Sequence, residues 1–215
     1  DWYWDNLERF DTYDRAASTV YLGEYAAHDT GRRSTLRSAL AEAAYMTALE
    51  RNGDIVRLAS YAPLLGKQRR CQWEPDLIYF DNSHVYPTIN YYVQQLFSLN
   101  AGDLCLPVTL RFEQDNRLAA SCVRDSGSGD IILKLVSRAD VPVEAHIRLN
   151  EIASIEPSAA CTVLSGAPND ENSYSFWHTF VLTPQTTTLT IAEQFSYQMP
   201  AHSLSVIRIK TQNAE

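Results

Sequence analysis

The sequence predicts an α/β segment followed by an all-β segment. Three observations carry that expectation. A strand pattern at 19–25, a long helical pattern and a second strand pattern at 55–61 follow one another early in the chain. The chain changes character near residue 104, and beyond it no amphipathic helical pattern recurs. Period-two runs such as "DIILKLVSR" and "SLSVIRIK" then alternate with turn compositions such as "DSGSGD", "RADVP" and "YQMPA".

Taken in order, "DWYWDNLERFDTYDR" has helical spacing through Tyr3, Trp4, Leu7 and Phe10. Val20, Tyr21 and Leu22 favour a strand, which ends in Gly23-Glu24-Tyr25. Ser34 is a helix-capping residue, so a helix is expected from Thr35. Its stripe is Leu36, Leu40, Ala43, Ala44 and Thr47, which leaves Glu42 and Glu50 on the solvated side. Arg51 suits the last turn, and Gly53 is placed to stop the helix in the left-handed conformation. "DIVRLASYAP" reads as the next strand, ended by Pro63. A crossover of this length makes the two strands adjacent and parallel, with Glu24 and Tyr61 at the same end. A long loop from Leu64 to Tyr86 follows, then a helix begun by Pro87 and closed by Gly102. The expected strands after Leu104 are "VTLRFE", "LAASCVRD", "GDIILKLVSR", "VEAHIRL", "ACTVLSG", "YSFWHTFVLT", "TTLTIAE" and "HSLSVIRIK".

Composition narrows the function classes. A net charge of −8 argues against nucleic acid, whose phosphates demand a basic face. No apolar run reaches the ~20 residues of a membrane span, so no membrane partner is expected. Cys71, Cys105, Cys122 and Cys161 form no C-x-x-C pair and are expected as free thiols. No metal site and no cofactor are expected. The compartment is left open. The chain starts at Asp1 without Met, inside a helical pattern, which points to a fragment or a processed product.

Chemistry in parallel α/β structures gathers at the C-terminal ends of strands. Glu24 stands there on the first strand, either as a solvated strand-end acid or as a catalytic carboxylate at the mouth of an α/β barrel. Tyr25 accompanies it, and Ser60 and Tyr61 close the second strand. The following loop brings Gln72, Trp73 and Asp76 to the same end. An acid, an aromatic plane and polar acceptors suit a sugar, whose ring face covers the aromatic and whose hydroxyls take hydrogen bonds. Each loop residue has a plainer role as well. Trp73 can pack the loop onto the rim, Asp76 can cap a short helix begun by Pro75, and Gln72 can be solvated. His28 has no metal partner in sequence and reads as a surface residue.

Several blocks in one order then add up to a resemblance. "VYLGEYA", "LAEAAYMTALERNGDIVRLASYAPLL", "QWEPDLIYFDN" and "NYYVQQLFSLNAGDLCLP" resemble the second half of the family 51 glycoside hydrolases, the α-L-arabinofuranosidases. "DWYWDNLERFDTYDR" is similar to the helix before their nucleophile strand, and "SLSVIRIK" to the closing strand of their C-terminal sandwich. The resemblance implies that residues 1–104 are the last part of a (β/α)8 barrel and that 105–215 form an antiparallel, jelly-roll-like β-sandwich. It implies that Glu24 is the nucleophile of a retaining reaction on an arabinose-containing saccharide. Trp73 and Asp76 would fall in the loop that lines the arabinose subsite, with Gln72, Tyr25 and Tyr61 nearby. It leaves room for a homo-oligomer.

The chain departs from the family's pattern in one respect. The family's acid/base glutamate follows an Asn at the end of barrel strand four, a part that precedes Asp1. The Asn-Glu pair present here, Asn150-Glu151, falls in the β-rich half and reads as a turn. A whole barrel also takes ~200 residues or more. The expectation is therefore a C-terminal portion, inactive by itself. The alternatives are a non-catalytic carbohydrate-binding or interaction module and a related barrel glycosidase acting on glucans.

Overall fold

The computed structural model describes residues 1–112, 117–150, 152, 154–174 and 181–211. Strand β1 (Val20–Tyr25) and strand β2 (Val56–Tyr61) pair in parallel, joined by helix α2 (Leu36–Arg51); a short helix α1 (Trp2–Asp5) precedes them. The expected adjacency is found, with Tyr25 opposite Tyr61. The opening helix is shorter than its spacing suggests. After Asp5 the chain turns, and Phe10 is buried with Tyr45, Ile55 and Val56 under the β1–β2 pair.

The loop after β2 is not structureless. Strands β3 (Leu65–Lys67), β4 (Ile78–Phe80) and β5 (Val85–Pro87) form a small sheet within it. Pro87 therefore closes a strand and does not open a helix. Thr88 caps helix α3 (Ile89–Leu99), its side chain accepting from the Tyr91 N–H at 3.3 Å. Thr35, not Ser34, caps α2 in the same way through the Ser38 N–H. Asn52 ends α2, and Gly53 lies outside the left-handed region. Asn100 ends α3, while Gly102 serves a close approach, since a Cβ there would meet the Arg124 carbonyl at 2.6 Å.

The remaining strands are β6 (Leu104–Leu106), β7 (Leu118–Arg124), β8 (Ile131–Ser137), β9 (Val143–Arg148), β10 (Ile155–Ser165), β11 (Gln185–Thr190), β12 (Gln194–Met199) and β13 (Ser203–Thr211). Six of them make one antiparallel sheet in the order β11-β10-β13-β8-β7-β6, and β9 pairs with β12. Among the described residues no helix follows residue 104. One strand and one turn expectation fail: residues 108–112 form no strand, and "YQMPA" supplies the end of β12 instead of a turn. The "YSFWHTFVLT" run falls mostly on residues outside those described, as does Glu151.

The six-stranded sheet is covered on both faces. Ala119, Val123, Ile132, Val136, Leu204 and Val206 pack on α2 and α3. Ala120, Cys122, Leu133, Leu135, Ile207 and Ile209 pack on Tyr197 and Met199 of β12. Double coverage explains why every residue of β8 is buried. It also explains α2, which is buried on most of its circumference between the parallel strands, α3 and the sheet.

Glu50 is accordingly not on a solvated face. Its carboxylate accepts from Lys134 Nζ of β8 at 2.7 Å and from Ser121 Oγ of β7 at 2.6 Å. Lys134, with no exposed side-chain surface, also donates to the Asn100 carbonyl at 2.7 Å and lies 5.1 Å from the centre of the Phe97 ring. All four cysteines are free thiols.

Candidate active site

Residues at the end of β1 are aimed by an irregularity in its pairing. Leu22 pairs with Ala59 and Tyr25 with Tyr61, so three steps on β1 match two on β2. Such a bulge reverses the alternation of side chains. Leu22 packs toward Tyr45 of α2, and Tyr25, three residues on, also reaches the helix layer. Glu24 is left exposed, as are Tyr21 and Leu58 on the side away from the helices. Tyr21 Oη lies 3.0 Å from Ser60 Oγ.

Behind Glu24 the segment Tyr25–Ala27 is held by a buried polar network. Tyr25 Oη donates to Gln94 Oε1 at 2.6 Å, and Gln94 Nε2 donates to Glu42 Oε2 at 3.2 Å. The Ala27 N–H donates to Glu42 Oε1 at 2.7 Å, and Asn90 Nδ2 donates to the Ala27 carbonyl at 3.4 Å. The Tyr25 and Tyr61 rings meet edge to face, 5.6 Å between centres. Glu42 is fully buried, against the expectation of a solvated face. Burial pushes its carboxyl up to about 7, although the donors around it favour the charged form.

The stripe on α2 misled because α2 has no solvated side at this level. The signal in the sequence was the run Ala39-Leu40-Ala41-Glu42-Ala43-Ala44-Tyr45-Met46, apolar on every side of the glutamate. A helix that is apolar all round is buried all round. Gln94 and Asn90, on the polar-looking side of α3, were missed for the same reason.

The loop residues separate. Trp73 is 64% exposed, so it does not pack the loop onto the rim. Gln72 is exposed too, in keeping with a solvated role. Asp76 is buried and caps no helix, since none forms at Pro75. It sits against Gly66 and the Cys71 thiol, where any Cβ on Gly66 would overlap its carboxyl. Its Oδ2 has no hydrogen-bond partner among the described residues, and burial holds the carboxyl above the usual aspartate range. Asp76 thus shapes the loop from within. His28 is exposed, and no cluster of His, Cys, Asp or Glu among the described residues is arranged for a metal.

The β-rich half of the chain also grips this end of the molecule. The Leu36 and Arg37 N–H groups at the start of α2 donate to the Asp170 and Pro168 carbonyls, each at 2.9 Å. Arg33 bridges to Glu171 at 2.8 Å, and Tyr79 of β4 meets Tyr174 with ring centres 6.2 Å apart.

A parallel β-α-β unit with an outward carboxylate at its strand end and an antiparallel sheet behind it is the architecture the comparisons match. Residues 12–203 match the family model for the α-L-arabinofuranosidase C-terminal domain, and the chain belongs to that family. It is 31% identical over 209 residues to α-L-arabinofuranosidase 2 of Arabidopsis thaliana, covering 95% of this chain and 31% of that protein. It is 47% identical over 107 residues to an extracellular exo-α-L-arabinofuranosidase of Streptomyces chartreusis, covering 50% of this chain and 12% of that protein. An arabinose-bound GH51 α-L-arabinofuranosidase superposes with a TM-score of 0.90 at 34% identity, over 98% of this chain and 35% of the other. The arabinose complex of the Thermotoga maritima α-L-arabinofuranosidase shares the fold at a TM-score of 0.77 and 16% identity, over 96% of this chain and 46% of the other. The chain thus spans about a third or less of the curated relatives named here.

Proposed function

We propose that this chain is the nucleophile-bearing C-terminal portion of a retaining α-L-arabinofuranosidase that releases terminal arabinofuranose from arabinose-containing saccharides. The observation that carries the reading is the exposed Glu24 carboxylate, turned outward by the bulge at the C-terminal end of a parallel strand. In this reading residues 1–104 are the last part of a (β/α)8 barrel and residues 105–215 its C-terminal, jelly-roll-like sandwich. The exposed apolar Tyr21 and Leu58 support that division, because an inner barrel face is covered only when the other strands are present. Glu24 attacks the anomeric carbon, the bond to the leaving oxygen breaks, and a covalent arabinosyl-enzyme forms. A second carboxylic acid, supplied by a part of the longer polypeptide outside this chain, protonates the leaving oxygen and then takes a proton from the water that attacks the anomeric carbon, whose bond to Glu24 breaks to release arabinose. Retention requires the two carboxyl groups to lie roughly 5–5.5 Å apart. Trp73 offers a plane for the sugar ring.

The test is Glu24→Ala in the full-length polypeptide that carries this chain, assayed on an aryl α-L-arabinofuranoside. Turnover is expected to fall by orders of magnitude, since the covalent route is lost, and added azide is expected to restore part of it. The 215-residue chain alone is expected to be inactive. Near-normal turnover by the Ala variant, or robust turnover by the isolated chain, overturns the reading.

A further inference from the structure

We propose that Glu42 is a positioning residue for Glu24, acting through the clamp it places on the chain directly after the nucleophile. The inference rests on the reading of Glu24 as nucleophile and adds the group that holds it in place. Glu24 itself is exposed and sits at a bulge, where the ladder gives least support. Rigidity has to come from its neighbours. The next residue, Tyr25, is tied through Gln94 to Glu42 Oε2. Two residues further, the Ala27 N–H is tied to Glu42 Oε1 and the Ala27 carbonyl to Asn90. Both oxygens of one buried carboxylate thus fasten both ends of the segment Tyr25–Ala27 to α2 and α3. Tyr61, the partner of Tyr25 across the strands, packs edge to face on its ring.

The arrangement uses a carboxylate for a reason of donor count. Ala27 and Gln94 each present a hydrogen, one to each oxygen, and above about pH 7 the ionised carboxyl is acceptor-only. An amide in its place turns an NH2 toward one of these donors and releases one end of the clamp. A displacement of ~1 Å at the reacting carboxylate is enough to cost on the order of a hundredfold in rate.

The experiment compares Glu42→Gln in two backgrounds of the full-length polypeptide at about pH 8, where the Glu42 carboxyl is ionised. With Glu24 present, kcat on the aryl arabinofuranoside is expected to fall at least about tenfold with KM changed less than about twofold. In the Glu24→Ala background, the azide-rescued rate is expected to change less than about twofold, because no nucleophilic side chain remains to be positioned. Gln94→Leu, which severs the link to Tyr25 while leaving Glu42 and its bond to the Ala27 N–H in place, is carried in parallel and should give the same pattern even if the Glu42→Gln variant folds poorly. Equal losses in both backgrounds, or no loss in either, overturn the proposal. Near-normal turnover by Glu24→Ala sinks the underlying reading instead, so the two failures are distinguishable.

Discussion

Lys134→Met tests how the antiparallel sheet is fastened to the helices that carry the site. Lys134 lies mid-strand on the helix-facing side of β8, with no exposed side-chain surface. Its ammonium contacts Glu50 and the Asn100 carbonyl, each at 2.7 Å, and burial lowers its pKa against the pull of Glu50. Met fills nearly the same volume, so the cavity term is small. The loss is electrostatic: Glu50, 18% exposed at its side chain, keeps Ser121 but loses its counter-charge, and the Asn100 carbonyl loses a donor. Removing one member of a buried ion pair costs about 3–5 kcal/mol, and the residual solvent at Glu50 places this case near the lower end, about 3 kcal/mol. For a chain of this size that corresponds to a fall in Tm of about 6–12 °C. Pairing it with Glu50→Gln, which keeps an acceptor for Ser121, should recover more than half of the loss, because no charge is then left buried. Calorimetry of the parent, the single variant and the double variant decides the matter. A single variant within about 2 °C of the parent, or a double variant no better than the single, refutes the reasoning.

Glu42 should make stability depend on pH. Its carboxyl is raised from 4.5 to about 7 in the fold, so between those values the folded chain holds a proton that the unfolded chain releases. This contribution is full below about 4.5 and is lost as pH rises through about 7, amounting to about 3 kcal/mol. Urea midpoints at about pH 5 and about pH 8 should show that loss in the parent and not in Glu42→Gln, and parallel pH profiles would contradict it. Trp73→Ala should leave the urea midpoint unchanged, since the ring is 64% exposed, while raising KM for an arabinose-containing oligosaccharide about fivefold through the lost ring-face contact. An unchanged KM would remove Trp73 from the sugar site.

Local pattern by itself determined much of this protein. The parallel β1–α2–β2 unit, the buried stripe of α2, the exposed end at Glu24 and the antiparallel run after residue 104 are all carried by periodicity and chain length. These features depend on neighbours in sequence, and a crossover helix leaves one handedness and one direction for the second strand. The order of the blocks around Gly23-Glu24-Tyr25 carried the family as well. Tertiary structure alone decided the rest. A glutamate on an amphipathic helix reads as solvated until a second layer covers its outer face. Here the six-stranded sheet, α3 and the parallel strands together enclose α2, turning Glu42 into a buried clamp and Glu50 into the partner of Lys134. Lys134 interrupts an apolar strand for a reason that lies 84 positions away in the chain, at Glu50. The bulge that frees Glu24 is likewise invisible locally, because it is a mismatch in count between two strands that are separated by a whole helix. Burial is a property of what packs from elsewhere, and no window of sequence contains it.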